Sequence, residues 1–511
     1  MKNQIKLGSL IAYLNVFLNM FVSVFLTPFL LQCLGEAEYG VYKIIQSFAG
    51  QLGIMSFGVS ALITRNVVFY NTKQQKKEKE NFLFMAYVIT FSLALLIGVV
   101  GAGLYFCIEP MYAAKMTAEE LLIAQKLFVL LVINTGLSVV CDSFMGLLRA
   151  HEKFVISNGI GTLRFALRLA TILILLNLGV NSVGIVVADL LVTSLALAIS
   201  FVYGRFGLRE KAKFYYWDGA LLRTSFAFSA AVFLQAIINQ VNQNVDNVIL
   251  GAMEGPSVVT VYSIGLTLYT CFISMVTVVG GMYGPQATRL VAQGAGGEAL
   301  TDFAIKPARI QAMIALLGIV GFVLLGQDFV QLWLGDGYEE VYWITLILII
   351  PVLIPLVESI TNSILDAMLK RMARSLILLA MCAFNIVLSI LLVTWVGYIG
   401  AAIGTATSLV LGHGILMNIY LKKKIKINVF RLFKGVFKGT LLCAIVTGLV
   451  CVPVIFIPDG LGWFVLKGGI VVCVYALCML LFGMNKAEKQ AVFATARRVA
   501  QKLKLVRKEG L

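Results

Sequence analysis

The 511-residue chain is poor in charge, in histidine and in proline. Charged residues make up only 13% of it, against 60% hydrophobic residues and a mean hydropathy of +0.93, more apolar surface than a soluble domain buries. Its nine cysteines form no CxxC pair, so neither a disulfide framework nor a zinc site is indicated. No acid, base and nucleophile recur at catalytic spacing. We therefore expect a protein that is not an enzyme and needs no cofactor.

The feature that dominates the chain is a series of long apolar runs. We count about 14 of them, each of roughly 20 residues or more, which is the length that crosses a bilayer as a helix. The sequence therefore predicts an all-α polytopic membrane protein with about 14 transmembrane helices. The predicted spans are 8–33, 41–69, 81–108, 120–148, 155–178, 183–204, 223–250, 258–284, 308–334, 341–367, 375–396, 401–421, 439–457 and 464–483.

The loops between the runs alternate in charge. Those after odd-numbered spans carry acids such as Glu38 and Glu119, whereas those after even-numbered spans carry bases such as Lys77, Arg209 and Lys423. Because basic loops stay in the cytoplasm, we expect both termini there and the protein in a bacterial cytoplasmic (inner) membrane. Because the bases lie in alternate loops, membrane topology and anionic lipids explain the net charge of +16 better than nucleic-acid binding does.

Weak internal similarity suggests two halves. Tyr42 matches Tyr262, Gly35 matches Gly251 and Gly179 matches Gly397, at offsets of 216–220 residues. We expect two parallel six-helix lobes with two appended helices, since a repeat with an even number of spans keeps its orientation. The predicted divisions are an N-terminal lobe 1–204, a basic and aromatic interfacial linker 205–222, a C-terminal lobe 223–421, helices 13–14 at 422–483 and a basic amphipathic tail 484–511.

Ionisable residues inside apolar runs are costly and mark candidate sites. Arg164 and Arg168 are four residues apart in the fifth span and share a helix face, and Arg65 lies near the inner end of the second. Arginines bind phosphate through two parallel hydrogen bonds, so these three residues are candidates for an anionic substrate. The alternative is that they snorkel to the lipid headgroups or pair with Asp142 or Asp189.

The seventh span carries a polar stripe at helical spacing, made of Gln235, Asn239, Asn242 or Gln243, and Asp246. Such amides could line a water-filled cleft and bind sugar hydroxyls. The alternative is hydrogen bonding between helices that holds a lobe together.

A second stripe, in the tenth span, contains Glu358, Asn362 and Asp366, each four residues after the one before. Glu358 lies in the middle of its span, so the two carboxylates are a candidate proton or cation site. Pairing of Glu358 with a neighbouring base is the alternative. No metal-ligand spacing is found around these carboxylates.

Three segments resemble a known family. They are PFLLQCLGEAEYGVYKIIQS at 28–47, NQNVDNVILG at 242–251 and VYSIG at 261–265. The chain is similar in these motifs, and in its number of spans, to the polysaccharide transporters (Wzx-type O-antigen flippases) of the multidrug/oligosaccharidyl-lipid/polysaccharide exporter superfamily. The motifs cover about a tenth of the chain and do not identify a substrate.

The resemblance implies a carrier of 12 plus 2 helices that moves an undecaprenyl-diphosphate-linked oligosaccharide from the inner to the outer leaflet, in polysaccharide or lipopolysaccharide biosynthesis. Membrane lipids, and possible contacts to a polysaccharide polymerase and glycosyltransferases, are the other partners it implies. Two readings from the same superfamily stay open: a cation-coupled multidrug or small-molecule exporter, and a lipid II flippase. A membrane glycan polymerase is disfavoured because the outer loops are too short for a catalytic domain.

Overall fold

The computed structural model describes residues 2–56, 58–217, 219–281, 283–368, 370–458, 460–486, 488–490 and 493, and over this part of the chain it is mostly helical and has no strand. The side chains of 2–17, 19, 176, 220–232, 235, 239, 278–279, 281, 285 and 371 lie outside this description. The all-α polytopic fold predicted from the apolar runs is confirmed.

Eighteen α-helices are described, several of them continued by short 3-10 or π-helical turns. They are α1 Lys2–Gly50, α2 Val59–Thr72, α3 Lys76–Tyr112, α4 Ala118–Ala150, α5 Phe154–Asn177, α6 Ser182–Val202, α7 Gly219–Met253, α8 Pro256–Gly281, α9 Gly284–Ala292, α10 Gly297–Leu334, α11 Glu339–Ile349, α12 Leu353–Ala367, α13 Arg371–Val396, α14 Ile399–Leu409, α15 Asn418–Tyr420, α16 Val429–Phe437, α17 Thr440–Val450 and α18 Leu461–Cys478.

Eleven of the described helical stretches are long and apolar enough to span a membrane, or twelve if α11 and α12 form one span bent by 41° at Pro351. One stretch, Met20–Thr72, would be about 80 Å long as a straight helix, far more than the roughly 30 Å of a bilayer core. It contains a break at Gly35, where φ is 75° and ψ is 168°. The predicted seventh span, within α7, is not among the eleven, and the count of 14 stays a prediction.

The chain forms two compact units that do not follow its halves. The first unit contains Met1–Cys271 and Arg371–Ser408, and the second contains Phe272–Lys370 and Leu409–Leu511. The division predicted from the sequence, with lobes ending at 204 and 421, stays a prediction.

The glycines used to align the two halves differ in conformation. Gly179 and Gly397 both have positive φ, 74° and 72°, as expected for matching turns. Gly251 does not match Gly35 in this way, because it lies inside α7. The glycine with positive φ in that region is Gly255, which follows Gly35 by 220 residues.

Residues 209–217 of the linker that follows the sixth span form neither helix nor strand, and one asparagine holds this segment. Asn81, buried near the start of α3, accepts hydrogen bonds from the amides of Tyr215 (2.9 Å) and Tyr216 (3.2 Å) and donates to the carbonyl of Tyr216 (2.9 Å). The aromatic side chains beside it are exposed. The interfacial placement expected from the sequence stays a prediction.

A cluster of ionisable groups fixes the other end of the linker. Glu210 lies 2.7 Å from the ammonium of Lys79 and 3.0 Å from Nε2 of His151. Partial burial raises the pKa of the Glu210 carboxyl, but the hydrogen bonds from His151 and Lys79 outweigh it, so the net pKa is lower than the usual 4.5. The charged form of Glu210 therefore stabilises the attached linker.

The sequence analysis missed one element, α16, and read residues 422–438 only as a basic loop. Its apolar residues recur at helical spacing, with Leu432 and Val436 buried and Arg431 and Lys434 exposed. The side chain of Asn428 caps the helix by accepting from the amide of Arg431 at 3.0 Å. The predicted amphipathic tail beyond Gly483 lies largely outside the described residues.

Candidate substrate and coupling sites

Cationic side chains from α1 and α5 come together in the first unit, and we call Lys43, Arg164 and Arg168 the cationic cluster. Nε of Arg168 donates to Oδ1 of Asp189, on α6, at 2.6 Å, and the guanidinium also contacts the hydroxyl of Tyr42. Despite these partners 42% of the Arg168 side chain is exposed. Asp189 therefore holds one edge of the guanidinium and leaves part of it accessible.

The hydrogen-bond and cation–π partners of the other two members of the cationic cluster are neutral. Nη2 of Arg164 donates to the hydroxyls of Thr193 (2.8 Å) and Ser138 (3.4 Å). The ammonium of Lys43 lies 5.3 Å from the ring centroid of Tyr39, in cation–π range, and is close enough to Arg168 for their charges to interact. Hydroxyls and an aromatic ring position a cation without cancelling its charge.

Two carboxylates lie near the cationic cluster, Asp189 against Arg168 and Asp142 within electrostatic range of Arg164. Three basic side chains therefore lie beside two carboxylates, so bases outnumber acids in the cluster. Such a cluster, partly exposed, can bind a phosphate or diphosphate, because two oxygens of a tetrahedral phosphate can accept the two parallel N–H bonds of a planar guanidinium. The pairing with Asp189 that the sequence analysis gave as the alternative for Arg168 is observed.

Arg65 is exposed on α2, and the hydrogen bonds described for Arg164 and Arg168 do not include it. Its assignment to the same site stays a prediction.

A buried polar network lies elsewhere in the first unit, made of Asp246, Tyr262, Asn385 and Thr405, and we call it the Asp246 network. Oδ2 of Asp246 accepts from the hydroxyls of Tyr262 at 2.7 Å and Thr405 at 2.9 Å. Oδ1 of Asn385 lies 3.3 Å from the Thr405 hydroxyl. Within the described residues, Oδ1 of Asp246 has no hydrogen-bond partner.

The Asp246 network joins four helices, because its members lie on α7, α8, α13 and α14. A buried carboxylate with one free oxygen is costly to leave charged and alone. Either a proton on the carboxylate or a cation bound by the surrounding carboxylate, amide and hydroxyl oxygens would lower that cost. Among the described residues no group of three or more His, Cys, Asp or Glu side chains is placed to hold a metal ion.

Asn247, which follows the stripe residue Asp246 in the seventh span, joins three helices. Nδ2 of Asn247 donates to the Ser47 hydroxyl, on α1, at 3.0 Å, and Oδ1 of Asn247 accepts from Ser263, on α8, at 3.2 Å. Gln243 is exposed. The side chains of Gln235 and Asn239 lie outside the described residues, so a sugar-binding role for the stripe stays a prediction.

Glu358 and His413 form a buried pair in the second unit. Glu358 is 0% exposed, and its Oε2 lies 2.9 Å from Nδ1 of His413. Oε1 of Glu358 has no hydrogen-bond partner among the described residues. His413 lies in the π-helical stretch Val410–Met417. The neighbouring base expected as the alternative for Glu358 is thus His413. Asp366 is exposed two turns further along α12.

Sequence comparison places the chain in a family. The model of the polysaccharide biosynthesis protein family matches residues 8–291, more than half of the chain. The chain belongs to this family. No curated protein matches it in sequence.

Solved structures share the fold of this polysaccharide biosynthesis protein. A lipid II flippase MurJ in an inward closed conformation superposes with a TM-score of 0.67 at 15% identity, over 92% of this chain and 97% of that one. An inward-facing multidrug resistance MATE family transporter of the MOP superfamily gives 0.59 at 13% identity, over 78% and 96%. A MOP superfamily transporter from Pyrococcus furiosus gives 0.50 at 16%, over 82% and 95%. These comparisons confirm the predicted fold.

The sequence analysis of this polysaccharide biosynthesis protein missed Lys43, Asn385, Thr405 and His413. Lys43 was hidden in the motif at 28–47, although a lysine within a span is itself a signal. Asn385 and Ser389 are four residues apart in the eleventh span, a spacing that reveals a shared polar face. Nothing in the sequence pairs Thr405 with Asp246, 159 residues earlier.

Proposed function

We propose that this polysaccharide biosynthesis protein is a flippase that moves an undecaprenyl-diphosphate-linked oligosaccharide from the inner to the outer leaflet by alternating access. The observation that carries the proposal is the cationic cluster, in which Arg168 is partly exposed although it lies within a predicted span. An arginine in that position needs an anionic partner. A diphosphate supplies more negative charge than Asp189 alone.

The chemistry of such a substrate fits the residues available. The polyprenyl tail stays in the bilayer, and the diphosphate oxygens accept hydrogen bonds from Arg164 and Arg168. Because Asp189 already orients Arg168, little side-chain entropy is lost when the anion binds. The glycan needs hydroxyl and amide groups, which the seventh span offers at Gln235, Asn239 and Gln243.

We assign coupling to the buried carboxylates. Asp246 and Glu358 each have one carboxylate oxygen without a partner among the described residues, so each gains stability from a proton or cation. Loading and release of that ion would shift the balance between conformations of the carrier, because the ion binds one of them more tightly.

The same carboxylates favour a second candidate, a cation-coupled exporter of small molecules. That reading gives no role to the bases of the cationic cluster, which repel a cationic drug. A lipid II flippase remains a third candidate, since lipid II also carries a diphosphate and its recognition would use the same arginines.

The test is transport by the full chain in proteoliposomes that contain a fluorescent undecaprenyl-diphosphate-linked oligosaccharide. Dithionite quenches fluorophores in the outer leaflet, so movement between leaflets is read as quenching. We expect the wild type to exceed empty liposomes, Arg168→Ala to lose at least about tenfold in rate, and the exposed Arg289→Ala to match the wild type.

Transport of a cationic dye with no movement of the lipid-linked glycan would favour the exporter. Movement of lipid II but of no other glycan-linked lipid would favour the third candidate. Equal rates for Arg168→Ala and the wild type would remove the cationic cluster as the substrate site.

A further inference from the structure

A cavity of about 570 Å³ lies in the second unit, between α12, the helical stretch around His413 and α16. Its walls are mostly apolar and include Ile354, Ile415, Ile419 and Phe433. The volume lies within the range of about 300–1,000 Å³ that is typical of small-molecule sites. We call this cavity the α16 groove.

The α16 groove is elongated along the twelfth span. It begins beside Gly414, where a Cβ would lie 3.6 Å from Cδ1 of Ile354, and it ends at Lys422 and Asn428. Gly414 and Lys422 are eight residues apart, a rise of about 12 Å in a helix. In the topology that the charge pattern predicts, Lys422 lies at the cytoplasmic interface and Ile354 lies near the middle of the membrane.

Charge is concentrated at one end of the α16 groove. Residues 422–438 contain no acid and seven bases. The bases are Lys422, Lys423, Lys424, Lys426, Arg431, Lys434 and Lys438. Arg431 pairs with Asp302 at 2.8 Å. Lys422 lines the cavity and has no hydrogen-bond or ion-pair partner among the described residues.

We propose that the α16 groove binds an anionic phospholipid of the cytoplasmic leaflet. Its phosphate meets Lys422, and one acyl chain runs past Ile419 and Ile415 towards Ile354. Charge complementarity selects this occupant, because a lysine at the interface and an apolar slot leading from it match the two parts of such a lipid. A soluble anion would not fill the apolar slot.

A lipid in the α16 groove would lie beside the buried Glu358–His413 pair. Asn418, which lines the groove, donates to the carbonyls of His413 and Gly414 at 3.0 and 3.1 Å. Ile354 precedes Glu358 by one helical turn. A chain packed against Ile354 and Asn418 therefore contacts both helices that carry the Glu358–His413 pair, and we expect it to stabilise their packing.

The test measures lipid retained by the purified full chain in detergent, by native mass spectrometry, with phosphatidylglycerol and phosphatidylcholine of identical acyl chains as probes. We expect the wild type to retain phosphatidylglycerol preferentially. Lys422→Glu should lower that retention about tenfold, because it removes one attractive charge and adds a repulsive one. Lys423→Glu, in the same basic run but outside the cavity lining, is the matched control and should retain most of the lipid.

Two further variants test the apolar part of the α16 groove. Gly414→Leu and Ile419→Trp each place bulk in the slot, from opposite ends, and both should lower retention of phosphatidylglycerol even if one of them folds poorly. Elution as a single folded species on size exclusion serves as the folding control.

Several results would overturn the proposal. Equal retention of the two lipids would show that the groove does not recognise the headgroup. Equal losses of phosphatidylglycerol in Lys422→Glu and Lys423→Glu would show that the basic segment attracts the lipid only through its overall charge. Retention unchanged in both groove-filling variants removes the acyl slot. Displacement of phosphatidylglycerol by an equimolar amount of undecaprenyl phosphate would assign the groove to a polyprenyl chain instead. None of these results depends on whether the proposed flippase function is correct.

Discussion

Replacing Arg309 should destabilise the second unit more than replacing any surface arginine. Nε and Nη2 of Arg309 donate to the two carboxylate oxygens of Glu488 at 2.8 and 3.2 Å. The same guanidinium donates to the carbonyls of Gly435 (2.7 Å), Lys438 (3.0 Å) and Gly483 (2.8 Å). Arg309 thus ties α10 to both ends of the hairpin formed by α17 and α18.

The magnitude follows from these partners. Arg309→Ala leaves a half-buried carboxylate and several carbonyl oxygens without a donor, and breaking a buried ion pair from one side costs about 3–5 kcal/mol. Water can reach part of Glu488, so we expect about 3 kcal/mol. Arg309→Lys should recover only part of this, because an ammonium cannot reach acceptors on two sides at once.

The assay is the free energy of unfolding in mixed micelles, measured with increasing denaturing detergent. The matched control is Arg431→Ala, which removes an exposed ion pair with Asp302 and should cost no more than about 1 kcal/mol. Equal losses in Arg309→Ala and Arg431→Ala would refute the reasoning, since burial would then make no difference to the value of the pair.

Three other perturbations have defined outcomes. Gly40→Ala should lower thermal stability sharply, because its Cβ would lie 2.0 Å from the carbonyl oxygen of Pro256, whereas Gly103→Ala, with open space around it, should not. The folded-state pKa of Glu210 is lowered, so the stability that its charge gives to the linker is present above the unfolded pKa of about 4.5 and is lost as pH falls through the folded value. Proteolysis of the linker should therefore increase in that pH range. In Glu210→Gln, proteolysis should not depend on pH in the same range. Asp246→Asn should keep the fold but abolish the dependence of transport on an imposed proton or sodium gradient, and unchanged dependence would exclude Asp246 from coupling.

Much of the fold could be predicted because the bilayer imposes helices on any long apolar run. The break at Gly35 and the bend at Pro351 are also local, and both residues are visible in the sequence. α16 was missed although its apolar spacing was readable, because the bases around it suggested a loop. The helix count could not be fixed, since span boundaries depend on where polar residues such as those of α7 are buried.

The candidate sites were predicted only in part. Arg164, Arg168, Asp246 and Glu358 stand out because charge within an apolar run is rare. Their partners do not, because Thr405 and His413 reach them from distant parts of the chain through packing that one sequence does not encode locally. Asp189 was named from the sequence, together with Asp142, only as an alternative partner for the three arginines.

The central claim is that the cationic cluster recognises a diphosphate, and binding tests it most directly. The measurement is the dissociation constant of an undecaprenyl-diphosphate-linked oligosaccharide for the wild type, Arg168→Lys and Arg168→Ala in detergent. Charge-assisted hydrogen bonds contribute about 1.5–3 kcal/mol each, so we predict that Arg168→Ala weakens binding by roughly 10–100-fold and that Arg168→Lys lies between it and the wild type. Equal dissociation constants for all three proteins would contradict the account.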